Sequence, residues 1–443
     1  MVENKKYYIK TYGCQMNEHD SEKIAGMLEE MGYTSTDELE NADLIFLNTC
    51  TVRENAELKV FGKVGSLKRL KRENPDLIIG IGGCMMQVEE PVQKIKEKFL
   101  HVDLVIGTHN LHKLPELVSE IEESDERIIS VWNQEKGIIP DLPSVRKSDF
   151  QAWVTIMQGC DNYCSYCIVP YVRGHERSRP KENVIKEVKK LIDDGVVEIT
   201  LLGQNVNSYA QDLKADYDFA DLLAELDEIE GLKRIRYMTS HPRDFNEKAI
   251  KTIAKSNKVC EHFHLPIQSG SNELLYAMNR GYTREEYLKI IDKIKNNFDH
   301  YSITTDFIVG FPGETEEDFQ DTLDIVKKVE FDMAFTFKYS KRSGTPAAKK
   351  DNQISEDIKD RRLQKLMKVQ NKISLRQNKK LEGKTLEVLV EGESKNNPET
   401  FMGRSRTNKL VIFPRQSGLI GKVVKVKINN AQSWTLYGDV IKT

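Results

Sequence analysis

The stretch Cys160-Asp161-Asn162-Tyr163-Cys164-Ser165-Tyr166-Cys167 carries three cysteines in the spacing C-x3-C-x2-C. Zinc wants four ligands, usually from paired C-x2-C units, and His175 is the one nearby residue that could complete such a set. An iron–sulfur cubane normally takes four thiolates, one per iron. The next cysteines are Cys84 upstream and Cys260 downstream, so the octet by itself supplies three. Three thiolates leave one iron with an open coordination position, and an open iron turns an electron relay into a place for chemistry. The spacing therefore favours a three-thiolate cluster over zinc or three structural cysteines.

Working outward, the octet follows an apolar run at residues 152–157, the first of six. The others lie at 198–202, 234–238, 263–267, 303–309 and 334–339, and helical patterns at 183–191, 218–226, 285–293 and 316–326 alternate with them. Six strand–helix units suit an open, partial (β/α)6 barrel with its active site at the strand C-termini, which is the end that carries the octet.

Upstream, apolar runs at 7–9, 44–47, 77–81 and 104–106 read as buried parallel strands, with amphipathic helices at 18–31, 53–70 and 87–99. This is a doubly wound α/β pattern. The first three strands end alike, in Thr11-Tyr12-Gly13-Cys14, Asn48-Thr49-Cys50 and Gly82-Gly83-Cys84. Ligands bind at the C-terminal edge of such sheets, so three cysteines distant in sequence are expected to meet there. The glycines admit close backbone approach, and helix N-termini stabilise thiolate charge. Any one of these cysteines alone is more often a small buried hydrophobe. The repeated pattern points to a second three-thiolate cluster.

Residues 124–149 read as a linker that contains Pro140 and Pro143, with a candidate strand at 128–132. From Arg361 to Thr443 there are 18 Lys and Arg against 6 Asp and Glu, although the whole chain of 443 residues has a net charge of −3. A basic end on an acidic body suggests a polyanion-binding appendage, with a solvated helix face as the alternative for 361–380. Beyond it, β segments at 386–390, 410–413 and 423–428 suit a small all-β barrel. No apolar run approaches a membrane span, and the polar start Met1-Val2-Glu3-Asn4-Lys5-Lys6 gives no signal peptide. Seven cysteines, an odd number, suit a reducing, cytoplasmic setting better than a secreted disulfide framework.

The spacing of Cys160, Cys164 and Cys167 resembles that of the radical S-adenosylmethionine (SAM) superfamily. The resemblance implies SAM chelated to the open iron and cleaved by one electron to a 5′-deoxyadenosyl radical. Residues at strand C-termini then become candidate walls for SAM: Gln204 and Asn205, Ser240, His264 and Gln268, with Tyr166 either near the adenine or, equally, a packing residue. His241 and His264 read equally as core histidines, Cys260 as structural, and the Gly-rich turn Gly310-Phe311-Pro312-Gly313 is weak evidence alone. Arg173, Arg177 and Arg179 could meet phosphates or SAM's carboxylate, or form ordinary salt bridges.

Over nearly the whole chain the motifs are similar to those of the radical-SAM methylthiotransferases. They are Thr11-Tyr12-Gly13-Cys14-Gln15-Met16-Asn17, Asn48-Thr49-Cys50-Thr51-Val52-Arg53-Glu54, Gly82-Gly83-Cys84, Gln158-Gly159-Cys160 through Pro170, and Gly203 through Tyr209. Gly403-Arg404-Ser405-Arg406 and Trp434 through Gly438 resemble a TRAM domain. Tyr-Gly-Cys-Gln-Met-Asn at the first cysteine resembles the MiaB branch, which acts on N6-isopentenyladenosine beside the tRNA anticodon.

The implied organisation is a methylthiotransferase domain at 4–122, a radical SAM core at 146–376 and a TRAM-like domain at 377–441. Implied cofactors are SAM and two [4Fe–4S] clusters, one on Cys160, Cys164 and Cys167, the other, auxiliary and sulfur-carrying, on Cys14, Cys50 and Cys84. The radical would abstract the C2 hydrogen of the adenine, sulfur would add there, and a second SAM would supply the methyl. No acid–base side chain is implied, because none can ionise an aromatic C–H at neutral pH. Partners are tRNA, its target base splayed from a loop, and a reducing electron donor, with the protein a monomer that uses no membrane. Arg404, Arg406, Lys409 and Arg415 would hold the RNA backbone. Alternatives are the threonylcarbamoyladenosine and ribosomal-protein branches of the family, and a non-enzymatic iron–sulfur RNA-binding sensor.

Overall fold

A computed structural model describes residues 5–51, 54–124, 126–134 and 141–441, with the side chains of 54–56 excepted. Asn4, Val52, Arg53 and Pro140, which the sequence reading used, lie outside the described residues, as do parts of the 124–149 linker. The chain divides into two compact units. The first takes the chain up to Lys147 with Gln158–Asp161 and Ile168–Arg179; the second takes Ser148–Met157, Asn162–Cys167 and the chain from Pro180 onward. Cys160 thus belongs to the first unit, and Cys164 and Cys167 to the second.

The first unit is a parallel six-stranded sheet in the order Thr34–Ser35, Lys6–Thr11, Leu44–Thr49, Ile78–Gly83, Leu104–Ile106, Ile128–Ser130. Strand side chains alternate between faces. Ile45 and Leu47 pack with Val60, Val64, Leu67 and Ile95. Leu44 and Phe46 pack with Ile24, Leu28, Leu114 and Val118. Helices Glu54–Glu73 and Glu89–Lys98 therefore cover one face, and Gln15–Glu30 and Leu114–Ser124 the other. The central strands are buried throughout because both faces are covered. A Cβ on Gly80 or Gly82 would stand 2.8 or 2.7 Å from the Phe46 ring, so glycine is what lets that ring lie across the neighbouring strand. The 128–132 segment forms the edge strand Ile128–Ser130.

In the second unit, Gln151–Thr155, Glu198–Leu202 and Arg234–Tyr237 form one parallel sheet, and His262–His264, Ser302–Val309 and Met333–Lys338 another. A parallel bridge between Ile235 and Val259 joins them, giving six strands in chain order. Helices Lys181–Asp193, Phe219–Asp227, Glu247–Lys255, Arg284–Asn297 and Glu316–Val329 alternate with the strands. Three of these helices start on reciprocal caps, Asp218 with Asp221, Thr283 with Glu286 and Thr315 with Asp318. This is the expected partial (β/α)6 barrel. Among the described residues, no helix is long and apolar enough to cross a membrane.

Helix Glu356–Lys379 leads to a closed barrel of Thr385–Ser394, Asn397–Ser405, Leu410–Pro414, Leu436–Val440 and Val423–Ala431. Two of its strands escaped the sequence reading. Asn397-Pro398-Glu399 reads as a turn, yet Phe401, Gly403 and Ser405 alternate into the barrel; Leu436–Val440 is interrupted by Gly438.

Arginines tie this barrel to the N-terminal ends of the six-stranded set. Arg234 donates to the carbonyls of Arg404 (2.9 Å) and Glu387 (3.1 Å) and to the Glu387 carboxylate (3.0 Å). Arg236 donates to the carbonyls of Ser405 (2.8 Å) and Arg406 (3.2 Å) and pairs with Glu198 at 3.0 Å. In return, Arg406 forks onto Glu261 and also donates to the Asn257 and Val259 carbonyls. Lys409 reaches Asp332 (2.6 Å) and Asn378 (2.8 Å).

Candidate metal and cofactor sites

Cys14, Cys50 and Cys84 each stand just past the C-terminal end of a strand of the first unit's sheet. Cys14 is the N-cap of Gln15–Glu30, Cys50 follows Leu44–Thr49, and Cys84 opens a 3₁₀ turn after Ile78–Gly83. Gly83 has φ +95°, and a Cβ there would meet the Thr49 carbonyl at 2.4 Å. Two buried amides lock the strand ends together. Asn17 donates to Asn48 Oδ1 (3.2 Å) and the Thr49 carbonyl (3.0 Å); Asn48 donates to the Asn17 carbonyl (2.8 Å) and Ser21 (2.9 Å). The Cys14 thiol donates to Asn17 Oδ1 at 3.4 Å. The asparagines of the Gln-Met-Asn and Asn-Thr-Cys motifs are thus the frame that holds the cysteines.

Cys50 and Cys84 are buried, Cys14 is exposed, and none of the seven cysteines is in a disulfide. Burial pushes the Cys84 thiol up to about 12, and its neighbours Cys50 and Cys14 add to that against the pull of Arg173. A thiol so placed ionises against a strongly positive partner such as a coordinated metal. Arg173 is buried; its Nε donates to Cys84 Sγ at 3.1 Å and its Nη2 pairs with Asp20 at 2.6 Å. Among the described residues no three Cys, His, Asp or Glu side chains converge as they would about one ion. A cubane spreads its thiolates over separate irons. The donor set, three cysteines outside any disulfide with a buried cation at Cys84, fits such a group.

In the second unit the segment with Cys164 and Cys167 is clamped from several sides. Asn279 Nδ2 donates to the carbonyls of Asn162 and Tyr163, both at 3.1 Å. Ser165 bonds the Ala277 and Met278 carbonyls, and Arg243 reaches Asn162 Oδ1 at 2.5 Å. Arg280, 4% exposed, donates through Nη1 to Cys164 Sγ (3.2 Å) and to the Tyr166 hydroxyl (3.3 Å). Tyr163, Thr239, Gln268 and Asn279 all have φ between +44° and +77° without being glycine. Such strain gathers at sites that the surroundings over-determine.

The SAM-wall candidates separate into two kinds. Among the described residues Ser240 Oγ is buried with no hydrogen-bond partner, as is Nε2 of the adjoining His241; buried polar atoms of this kind are satisfied by a ligand or by water. Gln204, half-buried, lies on the loop that follows Glu198–Leu202. Asn205 is braced: its amide donates to Asp244 (2.8 Å) and accepts from the His241 backbone N–H (3.0 Å). His264 bonds Thr304 (3.0 Å) and lies 3.6 Å from Asp306, whose carbonyl accepts from the Gln268 N–H at 2.9 Å. Tyr166 packs with Leu274, Met278, Phe311 and Tyr339.

Burial, with Arg280 and Arg243 nearby, pushes His241 down to about pKa 2. Unfolded, it titrates near 6.5, so the unfolded state binds the extra proton and stability is lost as pH falls below 6.5. The slope is about 1.4 kcal/mol per pH unit for one such group, or about 2 kcal/mol between pH 6.5 and 5. His241→Gln is expected to flatten this acid limb in urea titrations at pH 7 and 5. His262 and His264, which burial also lowers, keep it from vanishing.

Sequence reasoning missed Arg280 and misjudged how open Arg173 is. It also passed over Phe335 and Phe337, half exposed and in register with Asp306 and Ile308, the strand face that His264 adjoins. Of the four cations assigned to RNA, Arg406 and Lys409 have their donors engaged at the barrel joint described above. Arg404 and Arg415 are half exposed and pair with Glu391 (3.5 Å) and Glu393 (2.7 Å).

Residues 154–326 match the family model "Radical SAM superfamily", 6–107 match "Uncharacterized protein family UPF0004", and 379–441 match "TRAM domain". The fold is similar to that of the radical S-adenosylmethionine methyltransferase TsrM from Kitasatospora setae, with a TM-score of 0.57, 15% identity, and coverage of 78% of this chain and 77% of that one. Fold and cysteine loop thus define a radical SAM protein, a class that implies a [4Fe–4S] cluster and SAM. The tRNA-2-methylthio-N(6)-dimethylallyladenosine synthase of Desulforamulus reducens is 55% identical over 441 residues, 100% of this chain and 96% of that protein. The synthase of the same name from Alkaliphilus oremlandii is 56% identical over 439 residues, 99% and 93% of the two. The chain belongs to the tRNA-2-methylthio-N(6)-dimethylallyladenosine synthase family.

Proposed function

We propose that the protein methylthiolates C2 of N6-isopentenyladenosine next to the tRNA anticodon, using two clusters, in the cytoplasm and as a monomer served by an external one-electron donor. The observation that carries this is the second cysteine set. Cys14, Cys50 and Cys84 sit on a framework of their own, in a chain that also carries a complete radical SAM motif needing no such partner for hydrogen abstraction alone. When bound, the cluster of Cys160, Cys164 and Cys167 with SAM supplies a carbon radical able to remove an unactivated hydrogen.

The chain's own part is to hold and to shield. Asn279 and Arg243 fix the cysteine loop, and Ser240 and His241 offer unspent polar atoms to SAM. Gln204, Gln268 and His264 add polar wall, with Asn205 bracing it, and Tyr166 backs the loop. Phe335 and Phe337 give the splayed base an aromatic face, as single-stranded recognition uses. Arg404 and Arg415 suit the RNA backbone, because exposed ion pairs such as theirs are worth little and yield to phosphate.

The test is mass spectrometry of tRNA nucleosides from cells lacking the protein, with wild type or Cys160→Ala supplied back. The 2-methylthio derivative should vanish, return with wild type and stay absent with the variant. Unchanged nucleosides would overturn the reading.

A further inference from the structure

Each cysteine set has one buried arginine whose N–H points at a ligand sulfur, and the two arginines differ in their counter-charge. Arg173 donates from Nε to Cys84 Sγ at 3.1 Å and is paired at 2.6 Å with the Asp20 carboxylate, itself buried. Arg280 donates from Nη1 to Cys164 Sγ at 3.2 Å, and its remaining bonds go to neutral groups. Those groups are the Pro266 carbonyl (2.7 Å), the Tyr282 hydroxyl (3.1 Å) and the Tyr166 hydroxyl (3.3 Å). Among the described residues no carboxylate lies within ion-pair distance of Arg280; Asp306, which feels its charge, has His264 as its partner instead.

A buried guanidinium without a counter-ion is costly. Among the described residues, the one hydrogen-bond partner of Arg280 that carries full negative charge when it ligates iron is the Cys164 sulfur. Potentials of iron–sulfur clusters follow their net charge and the hydrogen bonds made to their sulfurs.

We propose that Arg280 is a positioning residue that raises the reduction potential of the cluster on Cys160, Cys164 and Cys167 by its uncompensated charge. Arg173, neutralised by Asp20, gives the Cys84 cluster a hydrogen bond without net charge. The proposal rests on the reading that these cysteines hold clusters. On reduction the cluster takes one electron from an external one-electron reductant, no bond forms or breaks, and its charge becomes one unit more negative. The N–H···S bond and the cation both favour that state. The difference between the arginines makes the SAM-binding cluster the easier of the two to reduce for a given environment.

The experiment uses anaerobically reconstituted full-length protein in two backgrounds. With Cys14, Cys50 and Cys84 changed to alanine, only the Cys164 cluster loads; with Cys160, Cys164 and Cys167 changed, only the Cys84 cluster does. Iron content, thermal midpoint and an EPR-monitored redox titration are read for each. Arg280→Gln in the first background is expected to lower the reduction equilibrium constant at least tenfold, 59 mV for one electron. Arg280→Lys, which keeps the charge, should stay within about threefold of its parent, and Arg173→Gln in the second background should shift less than Arg280→Gln does.

An unmoved potential in Arg280→Gln overturns the proposal, as does an equal shift in Arg173→Gln. If Arg280→Gln fails to load iron, the lysine variant decides: a tenfold fall there shows that geometry, not charge, sets the potential. A first-background parent that binds no iron overturns the cluster reading itself, an outcome that iron analysis separates from the others.

Discussion

Alanine at Cys14, Cys50 and Cys84 together is expected to separate two activities: 5′-deoxyadenosine is still released from SAM, and no methylthio group reaches the tRNA. The radical-generating motif lies on other strands, and the three changes remove only sulfurs. Cys50 and Cys84 are small buried residues outside the two large apolar cores of the first unit, and Cys84 packs in a small cluster with Ile168 and Val172. The loss should be greater than a hundredfold in product while nucleoside release stays within a few-fold, since Cys160, Cys164 and Cys167 are left unchanged. Chromatography for 5′-deoxyadenosine and mass spectrometry of the nucleoside check the two halves. Intact product with all three cysteines gone would remove the auxiliary cluster from the account. Cys84→Ala alone should destabilise the fold more than Cys14→Ala, because it strands an N–H of the buried Arg173, whereas Cys14 is exposed.

The second large effect is on stability. Arg236 is buried between Glu198 and the carbonyls of Ser405 and Arg406. Arg236→Ala leaves Glu198 buried with Arg234 at 3.8 Å as its remaining ion partner. Removing one member of a buried pair costs about 3–5 kcal/mol. The expected result is a clear fall in urea midpoint and faster proteolytic cleavage between helix Glu356–Lys379 and the closed barrel. Combining Arg236→Met with Glu198→Leu should recover part of the loss, because no charge is then left unpaired. A single variant as stable as wild type, or a double variant worse than the sum of the singles, would show that the arginine does not hold the joint.

How much of this could be read from residues alone differs element by element. The strands of the first unit were legible because a parallel strand covered on both faces must be apolar along its length, as Leu44–Thr49 and Ile78–Gly83 largely are. Their closing cysteines were legible for a topological reason: parallel strands deliver their C-termini to one edge. Asn397–Ser405 was not, because its Asn-Pro opening carries turn chemistry and its barrel-facing positions include Gly403 and Ser405. The basic count of the C-terminal part was correct, but charge composition is blind to direction. Arg406 and Lys409 turn inward to Glu261 and Asp332, 145 and 77 residues away in sequence.

Ligand identity is a local property, written in the spacing of Cys160, Cys164 and Cys167 and in the recurrence of cysteine after strands, and so the chain by itself determined the chemistry. The surroundings of those sulfurs are long-range. Arg280 lies 116 residues from Cys164 and Arg173 lies 89 from Cys84, and no periodicity links them. Tertiary structure alone decided which cations face sulfur, which face a neighbouring domain and which stay in water, because burial, and not sequence position, determines what a charge must pair with.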